Sequence, residues 1–172
     1  MAYDLKALFK TYDNYIIFIT IFRLNTIFSF EDVRLQRFAP ETLIAFTAVK
    51  VASQNDVARN QNIMFENVPL NEGNAFNSQR GVFIATKQGV FMFTVNLVHV
   101  NQPNPFHAAL VHNGNVIVKL HGESNTWDQT SQTVYLTLAP GDEVYVRNID
   151  FDHETIYGDS YSSFSGMLVW EL

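Results

Sequence analysis

The chain closes on Tyr161-Ser162-Ser163-Phe164-Ser165-Gly166-Met167-Leu168-Val169, and the reading of this stretch decides the class of fold. Alternation with period two marks a strand over Phe164 to Leu172. Phe164, Leu168 and Trp170 are assigned to one face, Met167 and Val169 to the other. A strand that is apolar on both faces is buried on both sides. It therefore needs a second sheet above it, or a sheet plus a neighbouring subunit. The Phe-Ser-Gly embedded in it is an unusual strand sequence.

Working upstream, the same period holds back to Leu43, with turn signals at short intervals, as in an all-β sandwich or barrel. Ile44, Phe46, Ala48 and Lys50 share one face of a first strand, with Ala45, Thr47, Val49 and Val51 on the other. Ser53 to Gln61 reads as a polar loop. Ile63-Met64-Phe65 opens a strand that Pro69 closes, and Asn71 to Asn74 is a turn. Val82 to Ala85 is a strand, and Lys87-Gln88-Gly89 is a corner in which glycine tolerates positive φ. Val90 to Val100 is the longest strand, with Phe91, Phe93, Val95 and Leu97 on one side. Phe106–His112 and Val116–Leu120 form a hairpin around Asn113-Gly114, the preferred chemistry of a type I′ turn. Thr133 to Leu138 is a strand, turned at Ala139-Pro140-Gly141-Asp142, and Glu143 to Arg147 returns antiparallel to it. Asn148 to Asp159 reads as a long acidic loop. No helix is expected in this region.

Composition agrees. Of 172 residues, 47% are hydrophobic and fifteen are Phe, enough for a β-rich core. The formal net charge of −6 disfavours nucleic acid and anionic membrane as partners. With no cysteine there is neither a disulfide framework nor a thiolate metal site. No Asn-x-Ser/Thr sequon is present either.

Residues 1–42 differ in character and are read as an extension to a domain spanning 43–172. Tyr15 to Phe22 is a strongly apolar run stopped by Arg23, too short and interrupted to span a bilayer. Three readings stay open: an imperfect secretion signal, a membrane-proximal or interfacial helix, and a helix that packs on or trimerises the domain. Pro40 would end such a helix.

The body resembles the globular-head domain of complement component C1q, shared with the tumour-necrosis-factor-like jelly rolls. The matching residues run in order along about three quarters of the chain. They are Ala45-Phe46, Phe65, Asn71-x-Gly73-x-x-Phe76, Gly81-x-Phe83, Gly89-Val90-Phe91-x-Phe93, Asn113-Gly114, Leu136-x-Leu138-x-x-Gly141-Asp142-x-Val144 and Phe164-Ser165-Gly166. Phe76 stands where the family commonly has Tyr, and Gly89-Val90-Phe91-x-Phe93 again carries Phe where Tyr is common. The resemblance implies a ten-stranded jelly roll of two antiparallel sheets, assembled as a homotrimer that recognises partners and is not an enzyme. It further implies a secreted, extracellular, pattern-recognising or lectin-like role in innate immunity. Two rival readings remain: a cytokine- or adipokine-like receptor ligand, and a structural trimerisation domain. The resemblance implies calcium near a trimer apex in several relatives, but no fixed ligand motif.

Candidate contacts for a glycan or protein ligand are Trp127, Asp128, Asp150, Asp152, Glu154 and Tyr157, all expected in loops. Exposed Trp and Tyr rings stack on the C–H face of sugars, although core or interface packing is the competing reading for both. Asp150, Asp152 and Asp159 are oxygen donors suited to calcium, against the alternative of a solvated acidic loop. His99, His107, His112 and His121 fall near two adjacent strands. None has short zinc-ligand spacing, so they read as scattered hairpin or interface histidines, with a pH-sensitive trimer contact as the alternative. Asp142 is expected to hydrogen-bond its own turn. Ser162, Ser163 and Ser165 lack the strand–turn–helix setting of a nucleophile.

Overall fold

The structure, a computed structural model, describes residues 43–100 and 102–172. The extension expected over residues 1–42 lies outside the described residues. Twelve strands make up the described chain: β1 (Ala45–Val49), β2 (Gln54–Val57), β3 (Asn67–Glu72), β4 (Phe76–Asn77), β5 (Val82–Ile84), β6 (Gly89–Val100), β7 (Phe106–His112), β8 (Asn115–Gly122), β9 (Trp127–Leu138), β10 (Glu143–Asn148), β11 (Glu154–Ile156) and β12 (Ser163–Glu171). There is no helix among the described residues. The strands form two antiparallel sheets. A seven-stranded sheet runs β2-β11-β6-β12-β1-β3, with β9 also pairing β6, and a five-stranded sheet runs β4-β5-β10-β7-β8. This is the expected jelly-roll sandwich, with twelve strands rather than ten; β2, β4, β5 and β11 are each four residues or shorter.

The closing strand β12 is central, paired to β1 on one side and β6 on the other. Its glycine explains the Phe-Ser-Gly. Gly166 stands opposite Phe46 in β1 and opposite Phe93 in β6. A Cβ at this position would lie 2.5 Å from Phe93 Cδ1 and 2.7 Å from Phe46 Cε1. The absent side chain is thus the space in which two rings from flanking strands meet. Around them Phe46 stacks on Phe76 at 4.6 Å and meets Phe164 edge-on at 5.0 Å. Phe83 meets Phe93 at 5.1 Å. These rings, with Phe65, Phe91, Val95, Leu97 and Leu168, form one core between the sheets, and offset or edge-on ring pairs add to its area burial.

Several local expectations are corrected. Ile63–Phe65 does not open a strand, and Pro69 lies inside β3 rather than ending it. β3 is an edge of the seven-stranded sheet, the place where a residue without N–H is tolerated. The polar stretch Ser53–Gln61 contains β2, and the acidic stretch Asn148–Asp159 contains β11, which pair with each other. β10 does not return along β9: the turn at Pro140-Gly141-Asp142 carries the chain into the other sheet, where β10 pairs with β5 and β7. Gly89 has no positive φ. Its reason is packing, since a Cβ there would meet the Trp170 carbonyl oxygen at 2.4 Å. A register shift between Leu168 and Trp170 turns Trp170 away from the core face, and it is exposed. The Asn113-Gly114 hairpin stands as expected, with φ of 48° and 85°, and Asp142 accepts from Ala139 N at 2.9 Å and from Asn113 Nδ2 at 2.8 Å.

Candidate functional site

Two regions of the sandwich carry features that its stability does not require. The first is the outer face of the seven-stranded sheet. In β6 the odd positions from Phe91 to Leu97 are buried in the core, so Val90, Met92, Thr94 and Asn96 point outward. Their cross-strand partners in β9 are Thr137, Tyr135, Thr133 and Ser131. Ser163, Ser165 and Met167 continue the face on β12, and Ala45, Thr47 and Val49 on β1. Hydroxyls pair laterally: Thr94 with Thr133 at 2.9 Å, and Ser165 Oγ donates to Thr47 Oγ1 at 3.3 Å. None of these outward side chains of β1, β6, β9 and β12 is charged, and the carboxylate of Glu72, opposite Ala45 on the edge strand β3, stands at the border of this face; Tyr135 is 63% and Met167 39% exposed. A shallow depression lined by Leu70, Met92, Thr94 and Met167 lies at its centre. Solvated sheet faces normally carry charge, so this one has the composition of a contact surface.

The second region is the loop end that holds the predicted ligand residues. Trp127 is the first residue of β9 rather than a loop residue. It is 61% exposed and meets Tyr157 edge-on at 4.8 Å, and Tyr157 meets Tyr161 at 5.6 Å. The alternation of β9 places Trp127 on the same face as Tyr135, so this aromatic trio borders the charge-free face. Tyr161 carried no recognisable signal in the sequence as a member of it.

The carboxylates are engaged separately. Asp128 accepts from the backbone N–H groups of Glu123 at 3.0 Å and Gln129 at 2.9 Å. Asp150 Oδ2 lies 2.6 Å from His107 Nδ1, and Asp152 accepts from Arg59 N at 2.6 Å. Asp159 sits at a turn with φ 49°, its N–H donating to the Val51 carbonyl at 2.8 Å. Among the described residues no three His, Cys, Asp or Glu side chains converge as metal ligands, so the structure does not bring Asp150, Asp152 and Asp159 together.

Glu154 is not a surface ligand. It is 2% exposed on β11, its Oε2 3.1 Å from Nε2 of the fully buried His99. Burial pushes the Glu154 carboxyl up to about 7, the neighbouring Asp150 charge adding to this and His107 opposing it. Burial also lowers His99, against the Glu123 backbone and Asp128, which favour its charged form. Both directions favour the uncharged pair, with a protonated Glu154 donating to Nε2. Phe106 stacks on the imidazole at 5.2 Å. A second buried polar group, Lys50, donates to the Met64 carbonyl at 2.8 Å and to Glu66 Oε1 at 3.1 Å. Alternation alone puts Lys50 on the core face; its long-range partners are what make that position tenable.

Residues 45–169 match the family model described as the C1q domain. The chain is 32% identical over 139 residues to human complement C1q tumor necrosis factor-related protein 3, covering 77% of this chain and 53% of that protein. It is 31% identical over 132 residues to the mouse complement C1q tumor necrosis factor-related protein 6, covering 72% and 50%. The chain thus spans about half the length of these curated relatives. Among solved structures, the globular domain of zebrafish complement 1qA superposes with a TM-score of 0.64 at 17% identity, covering 75% of this chain and 99% of that one. Eiger TNF from S. frugiperda gives 0.64 at 12% identity, over 74% and 93%. At such identities these two likenesses concern the fold alone.

Proposed function

The chain belongs to the C1q-domain family, and on that premise we propose that it acts as an extracellular, non-enzymatic binding module that assembles as a homotrimer. The observation that carries this reading is the outer face of the seven-stranded sheet, whose β1, β6, β9 and β12 positions present hydroxyl, apolar and aromatic groups without charge. Covering such a face removes apolar area from water at roughly 25 cal/mol per Å2 and strands no ion. Self-association normally closes into a cyclic ring, and three weak sites on one ring raise avidity without new contacts.

Recognition is assigned to the loop end, where Trp127 meets Tyr157 edge-on and Tyr161 lies tilted against Tyr157, a suitable apolar platform for a sugar. A glycan ligand with a role in innate immune recognition is the first reading. Similarity to proteins named for both C1q and tumor necrosis factor supports a second, a ligand for a cell-surface receptor.

One experiment separates them. The full chain and its Trp127→Ala variant are tested against microbial polysaccharides, sialylated glycans and intact cells, in calcium and in chelator, with solution mass measured in parallel. Saturable glycan binding lost in Trp127→Ala at unchanged mass supports the lectin, and its loss in chelator adds calcium. Cell binding that survives removal of surface glycans supports the receptor ligand. A change of mass in Trp127→Ala makes the ring a subunit contact, and absence of all binding refutes the recognition role.

A further inference from the structure

The outer face of the five-stranded sheet carries a pair of imidazoles whose arrangement can hold a cation. In β7 the side chains of Phe106, Ala108 and Leu110 belong to the core, and in β8 so does that of Leu120. His107 and His121, the intervening residues, therefore point outward, and the hairpin register sets them opposite each other. His107 Nε2 lies 2.9 Å from His121 Nδ1. Each ring's other nitrogen faces a carboxylate: His107 Nδ1 meets Asp150 at 2.6 Å, and His121 Nε2 meets Glu123 at 3.3 Å. Phe151 lies at 6.4 Å from the His107 ring, the two planes 25° apart.

Asp150, at 2.6 Å, is placed to accept the Nδ1–H of His107, and Glu123, largely exposed, faces His121 Nε2 at 3.3 Å. In the tautomers whose N–H groups point at these carboxylates, the two inner nitrogens present lone pairs to each other across 2.9 Å. A cation held between them, a metal ion or an added proton, makes that contact favourable. An imidazole with a carboxylate on its distal N–H is also the usual arrangement of a metal-bound histidine, in which the carboxylate fixes the tautomer and raises ligand basicity.

We propose that His107 Nε2 and His121 Nδ1 bind a single imidazole-preferring divalent cation, Zn2+ or Cu2+, with Asp150 and Glu123 orienting the two rings. A tetrahedral Zn2+ with Zn–N of about 2.0–2.1 Å separates two ligand nitrogens by about 3.3 Å, so the pair opens by roughly 0.4 Å. His121, half-exposed on edge strand β8, has room for that movement. Only two side chains supply ligands, fewer than in a closed structural site, so the remaining positions are open to water or a small ligand. The site lies on the opposite sheet from the charge-free face and stays accessible when that face is covered. Sequence spacing hides it, because the ligands sit fourteen residues apart and only the hairpin unites them.

The test is isothermal titration of the metal-stripped full chain with ZnCl2 at neutral pH, alongside His107→Gln, His121→Gln, Asp150→Asn and His153→Gln. The expected result is one saturable equivalent per chain. Affinity should fall more than tenfold in each of the two ligand variants and about 10–100-fold in Asp150→Asn. His153→Gln should bind as wild type, and the circular dichroism of all four variants should match it, which keeps a folding failure from imitating a lost ligand. No saturable Zn2+ binding, or binding undiminished in either ligand variant, overturns the proposal. So does 15N imidazole NMR showing that the pair retains a third proton at neutral pH and is indifferent to Zn2+, since the gap is then filled by a proton alone.

Discussion

Gly166→Ala is the substitution whose consequence follows most directly from the packing. The added Cβ falls 2.5 Å from Phe93 Cδ1, 2.7 Å from Phe93 Cε1 and 2.7 Å from Phe46 Cε1. Carbon atoms in contact prefer about 3.5–4.0 Å, so three contacts overlap by about 1 Å each. Neither ring has a free direction to move. Phe46 is stacked on Phe76 at 4.6 Å and on Phe83 at 5.4 Å, and Phe93 is held by Phe83 at 5.1 Å and Phe164 at 6.0 Å. Overpacking of a filled core costs about 1–3 kcal/mol, and the confinement here argues for the upper part. Replacing a strand glycine by alanine returns roughly 0.5–1 kcal/mol of backbone entropy. The net loss is about 2 kcal/mol, a fall in Tm of about 5–12 °C for a domain of this size. The assay is thermal and urea denaturation at one fixed protein concentration, because the proposed assembly would couple stability to concentration. Phe46→Leu, introduced into Gly166→Ala, removes part of the clash and should recover stability relative to the sum of the single changes. If Gly166→Ala is as stable as wild type, or the double variant shows no favourable coupling, the account of the Phe-Ser-Gly fails.

Other predictions concern buried polar groups and the hairpin. Lys50→Ala removes the donor to Met64 and Glu66. Because Glu66 is half-exposed and can rehydrate, the expected cost is about 2–3 kcal/mol, below that of breaking a fully buried pair; urea denaturation with Lys50→Met as the volume-conserving control checks it. Stability should be greatest in mildly acidic solution. Glu154, raised to about 7 from 4.5, contributes stability that is complete below 4.5 and is lost as pH rises through about 7. His99, lowered from 6.5, contributes stability that is complete above 6.5 and is lost as pH falls through its folded value. His153, raised by Asp56, also loses its contribution as pH rises, so Glu154→Gln is the discriminating variant: it should flatten the decline between pH 6 and 8, and an unchanged profile refutes the role of the buried pair. Gly114→Ala meets no neighbouring atom but forces a side chain to φ 85°, and should cost roughly 1–2 kcal/mol in the same denaturation assay.

What the sequence revealed follows the range of the interactions concerned. Period two along β6 and β12 assigned the core phenylalanines correctly, because side-chain direction in a strand is local. The Asn113-Gly114 turn was legible for the same reason. Sheet membership was not: β10 follows β9 after a tight turn, yet pairs with β5 and β7, and nothing in a four-residue turn distinguishes a hairpin from a crossing between sheets. β2 and β11 are polar and short, and they exist because each supplies hydrogen bonds to the other. At the loop end, Trp127 and Tyr157 were recognisable as residue types, and the structure brings them together. Glu154 looked like a surface acid because its neighbours are; its burial depends on His99, fifty-five residues away.

The central claim is that the charge-free sheet face joins three chains, and the most direct test is the solution mass of the full chain by sedimentation equilibrium, compared with Met167→Glu. Met167 lies in the middle of that face and is partly exposed, so the substitution leaves the core untouched while placing a carboxylate where the neighbouring subunit would pack. Wild type should give three times the chain mass of 19.6 kDa and the folded variant a single chain. A wild-type monomer at micromolar concentration, or a Met167→Glu variant that keeps the wild-type mass, would contradict it.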